Sequence, residues 1–540
     1  MISSKFFSFL QSLPQLVLIK IKQLSPTLKV TFLTAIIFGL ACHGFMYLNK
    51  LPNHDDVGNI FYTDGLQAMS LGRWFLKVPV ILFSGLSLPW AQGLIVLTFL
   101  AITACLLVQL FKLKHPLLGA LTAALVVSFP TITMMNFYLF TASAYAVALF
   151  LVVLTVFITA KYSHSVIAHL MAVITLCLSL AIYQAFYPFF ICLTILVLLQ
   201  RSLTKNTSWR GLLSGGGKLL MVAISALLLY LLSVKLTVYF GFATLTTYKG
   251  AANMGQINFN QLPNLAIKAF LLPVNFYFFD TFLTLHKLAT LLFGISIVFS
   301  MVIIPLHFLR QSAKQQLFSS LIWFFLGAIL LFGSSGLICV MSPDAYPNLL
   351  MIYPLISLPL LLIIIAQELT TKSPPFFFYR TTVVIALLVF IYNNFLWSNK
   401  QYLALQVAYE RGFAYSAQLI TRIQSLPDYQ VGLPVNFINT PMFNNIDISE
   451  ASTHLFNNSN ISMSINIPAM YSYHVFLREY VGFNDNPITP LSAVEVCELE
   501  PDVITALDDL SIYPNADSII RIGNAFYVKF QALSCDEITP

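Results

Sequence analysis

Charge is what this chain has least of. Asp, Glu, Lys and Arg together make up 9% of its 540 residues, and only 21 side chains are acidic. A soluble globular protein carries roughly a quarter charged residues. Such scarcity excludes a solvated globular surface, and it excludes disorder, which needs a polar and charged composition. A phosphate-binding glycine loop is missing: Gly215-Gly216-Gly217 lacks the Lys-Ser/Thr ending a P-loop requires. The nine histidines are scattered, and no Cys or His set has metal-ligand spacing. The sequence therefore indicates no cofactor and leaves a divalent metal open.

Apolar residues fill the place of the missing charge, at 58% of the chain, with a mean hydropathy of +0.81. The fold class that follows is a polytopic α-helical membrane protein in contact with the lipid bilayer. A crossing helix needs about 20 mostly apolar residues. Hydropathy places eleven such segments near 29–49, 91–111, 116–135, 138–160, 165–183, 186–200, 218–240, 287–309, 317–340, 348–366 and 378–397. Residues 1–28 mix Phe6, Phe7 and Leu10 with Lys5, Lys20 and Lys22, a pattern suited to an interfacial helix. No small-residue cleavage site follows it, so the first span reads as an uncleaved anchor.

The basic residues set the orientation. With the N-terminus in the cytoplasm, 15 of the 28 Lys and Arg fall on that side, accompanied by one acidic residue, Glu368. The net charge of +7 thus reflects membrane topology, and no nucleic-acid partner is implied. Residues 398–540 then lie outside as a domain of their own. They carry 15 acidic and 6 basic residues, twice the charge density of the body. A helix over 400–425, a strand over 431–440 and a hairpin turning at Gly523-Asn524 predict a mixed α/β domain. Cys497 and Cys535 both lie in it, where an external compartment permits a disulfide; the other five cysteines fall in spans as packing residues.

Polar groups suited to chemistry concentrate in the first external loop, residues 50–90. It holds His54-Asp55-Asp56, then Asp64, Gly72-Arg73-Trp74 and Lys77. Residues 56–76 read as one surface helix, with the acidic pair at its start and Arg73 and Lys77 sharing a face. Each piece has a plain structural reading: a carboxylate caps the helix, and the cations snorkel to headgroups. Together they suit transfer of a group from a lipid-linked phosphate to a hydroxyl. A carboxylate takes the proton of the attacking hydroxyl, and Arg or Lys balances the departing phosphate. Either Asp55 or Asp56 serves as base; the other orients the acceptor or holds a metal. Further binding candidates are Tyr183 and Gln184, Lys249 in Tyr248-Lys249-Gly250, and Asp280, a carboxylate in an apolar stretch.

The stretch from His54-Asp55-Asp56 to Gly72-Arg73-Trp74 resembles the first periplasmic loop of the Gtr-type O-antigen glucosyltransferases, members of the GT-C superfamily. Ile182-Tyr183-Gln184 resembles a Tyr-Gln motif of that family, and residues 399–439, with Tyr409-Glu410 and Pro434-Val435-Asn436-Phe437, resemble the start of its C-terminal domain. The resemblance implies a polyprenyl-phosphate-linked glucose donor, an O-antigen hydroxyl as acceptor and inversion at the anomeric carbon. It implies a bacterial inner-membrane enzyme with a periplasmic site, catalytic Asp55 or Asp56 and a donor-phosphate contact at Arg73. Two alternatives stand beside it: a lipid-linked sugar flippase or transporter, and another envelope glycan enzyme such as a polymerase or ligase. Ion coupling needs ionisable groups near the midplane, and Lys235 is the only charge inside the eleven spans away from their extreme ends.

Overall fold

The computed structural model describes residues 23–59, 66–82, 85–204, 209–246, 259–279, 287–311, 314–343, 347–369, 373–439 and 472–533. The described chain is mostly helical. Its principal helices are α1 (Pro26–Leu48), α2 (Pro89–Leu110), α3 (Pro116–Ser128), α4 (Pro130–Phe137), α5 (Leu139–Lys161), α6 (Val166–Ile182), α7 (Tyr187–Leu203), α8 (Trp209–Tyr239), α9 (Leu262–Phe278), α10 (Lys287–Gln311), α11 (Lys314–Ser335), α12 (Ser357–Glu368) and α13 (Pro374–Gln424). Among the described residues eight helical stretches are long and apolar enough to cross a membrane, with α3 and α4 counted as one. Four shorter apolar helices, α6, α9, α12 and the apolar part of α11, run among them.

Each of the eleven expected spans is helical, yet length separates eight from the rest. One helix was not expected as a span: α9, whose sequence is interrupted by Asn264, Lys268, Pro273 and Asn275. It is nonetheless held by packing, since Gly336 approaches the Ala269 carbonyl so closely that a Cβ would sit 2.0 Å from it. Apolar helices in lipid gain little from hydrophobic contact with each other and associate through small residues and hydrogen bonds. Gly93 of α2 does the same for α1, leaving room only for the ring of Tyr47. Buried polar pairs add to it: His43 bonds Tyr402 Oη (2.8 Å) and the Val127 carbonyl (2.7 Å), and Thr133 bonds Ser398 (2.6 Å).

The last span and the first helix of the tail are one element. α13 runs for 51 residues without a break, about 75 Å at 1.5 Å per residue, against about 30 Å of bilayer core. Beyond it stands a four-stranded sheet of β1 (Val435–Ile438), β2 (Ile488–Leu491), β3 (Ile519–Ile522) and β4 (Ala525–Lys529), in the order β2-β1-β4-β3. β1 is parallel to both neighbours; β3 and β4 form the antiparallel hairpin anticipated around Gly523-Asn524, with Gly523 at φ +57°. Cys497 is disulfide-bonded; its expected partner Cys535 lies outside the described residues, and the five other cysteines are free.

Candidate active site at the loop end of the bundle

The loop between α1 and α2 starts with a turn built by one amide. Buried Asn53 accepts from the backbone N–H of Asp55 and of Asp56 (2.8 Å each) and donates to the Phe137 carbonyl (2.5 Å). That turn opens the short helix Asp56–Asn59 and sends two adjacent carboxylates into different surroundings. Asp56 is fully buried, and its two oxygens accept from the N–H groups of Leu139 (3.1 Å) and Phe140 (3.3 Å). It is a helix cap, as the plain reading supposed, but of α5, 83 residues along the chain. Burial pushes its carboxyl up to about 8, outweighing those N–H bonds, and the neighbouring Asp55 adds to the rise. Asp55 keeps a side chain 40% exposed, 3.7 Å from His54 Nε2. The His54 ring meets Tyr138 edge-on at 6.4 Å.

Arg73 is positioned by a different device. The single helix expected over 56–76 does not form: Leu66–Met69 ends in a turn at Gly72, whose φ of +73° breaks it. Arg73 follows, at the start of the 3-10 turn Trp74–Leu76, and Lys77 opens a further short helix, Lys77–Leu82. The two cations therefore do not share one helical face. Arg73 Nε donates to Gln184 Oε1 (3.3 Å), and its guanidinium lies 4.9 Å from the centre of the Tyr183 ring. Gln184 Nε2 donates to the Leu71 carbonyl and to Tyr230 Oη, both at 2.8 Å. Tyr183 also packs on Tyr145 (4.6 Å) and has Tyr138 as an electrostatic neighbour. Tyr138 immediately precedes α5 and stands between His54 of the loop and Tyr183.

The structure brings His54, Asp55, Asp56, Arg73, Tyr183 and Gln184 together around the N-terminus of α5. Asp64, Lys249 and Asp280 lie outside the described residues. Among the described residues no three His, Cys, Asp or Glu side chains gather as metal ligands. Sequence reasoning missed Tyr230, which stands on the face of α8 toward Gly72, and it missed the tail's contribution. The segment Tyr473–Val481 lies against the loop: Lys50 Nζ sits 4.1 Å from the Tyr480 ring, Val475 faces Gly58, and Tyr480 is an electrostatic neighbour of Asp56. No local pattern marks these partners, which are separated by hundreds of residues.

A half-exposed carboxylate, Asp55, and a guanidinium, Arg73, in one loop can receive a proton and a phosphate charge respectively. A family model described as glucosyl transferase GtrII matches residues 44–391. The chain belongs to the GtrII glucosyl transferase family. The matched stretch begins in α1 and ends in α13, so it contains the whole loop, Tyr183, Gln184 and Tyr230. No curated protein and no solved structure matches the chain. As a GtrII family member it is a membrane glycosyltransferase, and its sugar donor and glycan acceptor are the partners the site must serve.

Proposed function

We propose that this GtrII family member is an inverting, GT-C-type enzyme that moves glucose from a polyprenyl-phosphate donor to a hydroxyl of the O-antigen at the periplasmic face of the bacterial inner membrane. The observation that carries the reading is the division of labour in the loop. Asp55 is half-exposed on a rigid turn, while Arg73 presents a guanidinium whose terminal amino groups make no hydrogen bond among the described residues. Asp55 takes the proton as the acceptor oxygen attacks the anomeric carbon. The bond from that carbon to the phosphate oxygen breaks, and the lipid phosphate leaves with the electron pair, its charge balanced by Arg73. Asp56 supplies neither step; buried and bonded to α5, it holds the turn that carries Asp55.

Glycan analysis of cells with and without the chain tests the reading. A gain of side-branch hexose is expected. Altered chain length alone would assign a polymerase, and export without structural change a flippase; either outcome overturns the transferase. In membrane vesicles supplied with polyprenyl-phosphate glucose, Arg73→Ala is expected to raise donor KM or lower kcat by about tenfold or more, the scale of one charge-assisted contact. Unchanged donor kinetics would remove the phosphate role.

A further inference from the structure

Two side chains from outside the loop, Gln184 and Tyr230, hold the turn that carries Arg73. Gln184, 4% exposed, spends its whole amide there: both N–H bonds go to the Leu71 carbonyl and Tyr230 Oη, and its oxygen takes Arg73 Nε. Tyr230 Oη in turn donates to the Gly72 carbonyl (3.4 Å). The two carbonyls immediately before Arg73 are thus both held. Gly72 is required by the same arrangement, since a Cβ on it would lie 2.7 Å from Tyr230 Oη and 3.4 Å from Gln184 Nε2. Trp74 Nε1 donates to Ser233 Oγ (2.9 Å), less than one helical turn beyond Tyr230, and fixes the far side of the arginine. With Nε engaged and the guanidinium carbon 4.9 Å from the centre of the Tyr183 ring, the edge bearing the two terminal amino groups is the one without a hydrogen bond among the described residues. That edge is the one that binds a phosphate in two parallel hydrogen bonds.

We infer that Tyr230 and Gln184 are positioning residues for Arg73: they lock the turn at Gly72 so that the guanidinium edge meets the phosphate of the lipid-linked donor. The inference rests on Arg73 as the phosphate contact. It takes Gln184 out of direct sugar binding and brings in Tyr230, a residue of α8. Their effect falls on donor binding and departure, and leaves acceptor deprotonation alone.

The test uses full-length protein in vesicles, with donor and acceptor KM measured separately. Tyr230→Phe keeps the ring in its packing cluster and removes only the hydroxyl. It is expected to raise donor KM about fivefold to tenfold, the scale of one buried hydrogen bond, with acceptor KM and protein abundance unchanged. Gln184→Leu is expected to do the same more strongly. In an Arg73→Lys background, where no Nε exists to be held, Tyr230→Phe is expected to add less than twofold. Donor KM within twofold of wild type in both Tyr230→Phe and Gln184→Leu, while Arg73→Ala raises it, overturns the positioning role alone. Normal donor kinetics in Arg73→Ala overturns the phosphate contact itself. A uniform fall in every parameter with lost abundance in both variants would assign Tyr230 and Gln184 to folding and overturn the inference.

Discussion

At the scale of single residues, the adjacent carboxylates Asp55 and Asp56 do different things because one amide, Asn53, turns the backbone between them. Asp55→Asn is expected to lower kcat by about two to four orders of magnitude, the range for a lost general base, with unchanged abundance because the side chain is half-exposed. Wild-type activity in this variant would sink the base assignment. Asp56→Asn keeps only one acceptor oxygen for the two N–H groups of α5 and is expected to act on stability instead. The pH dependence separates the roles. Burial raises the Asp56 carboxyl to about 8 in the folded chain, against about 4 when unfolded. The folded state then binds the extra proton between those values, so this contribution is fully present below pH 4 and is lost as pH rises through 8. Thermal unfolding of the purified protein between pH 4.5 and 8.5 should show Tm falling with pH, and Asp56→Asn should flatten the slope. Parallel profiles for wild type and variant would contradict the buried-carboxyl assignment.

At the scale of elements, what could be read beforehand followed the range of the interaction. The apolar segments and the Gly523-Asn524 hairpin announce themselves in short local runs; the segments are largely helical, eight of the helical stretches being long and apolar enough to cross a membrane, and the hairpin is present. The cluster His54-Asp55-Asp56, Arg73, Tyr183-Gln184 was also legible, because polar residues in an apolar chain are conspicuous. The helix expected over 56–76 failed at Gly72, where a carbonyl pair is claimed by Gln184 and Tyr230, side chains more than a hundred residues away. α13 was read as a span followed by a separate helix, because composition changes at 397 while helical propensity does not. Its continuity has a mechanical consequence: Tyr402 is bonded to His43 within the bundle, and Tyr409 packs on Phe476 of the tail, seven residues along one rod. Inserting one alanine after Gln406 should turn the tail by about 100° relative to the bundle and lower transfer at least tenfold while the protein still inserts. Full activity in that variant would show that the tail's orientation is immaterial to the reaction.

At the scale of the whole molecule, the charge pattern of the sequence separates loops rich in Lys and Arg from an acidic tail. Fifteen Lys and Arg with the single Glu368 lie in the loops assigned to the cytoplasm, the distribution that retains loops on that side during insertion. On that assignment the loop between α1 and α2 and the tail share the opposite side, and the packing of Tyr473–Val481 on Lys50 and Gly58 puts the two on one side of the bundle. One experiment therefore tests orientation and site together. Asp517 is exposed in the tail and Lys112 is exposed between α2 and α3; each can be changed to cysteine in a chain whose free cysteines lie in the helices. Asp517→Cys is expected to react with a membrane-impermeant maleimide in intact spheroplasts, and Lys112→Cys only after permeabilisation. The reverse pattern would place the loop in the cytoplasm, where Asp55 and Arg73 would face a donor presented on the inner leaflet. A periplasmic acceptor would then be out of reach, and with it the O-antigen as the glycan modified.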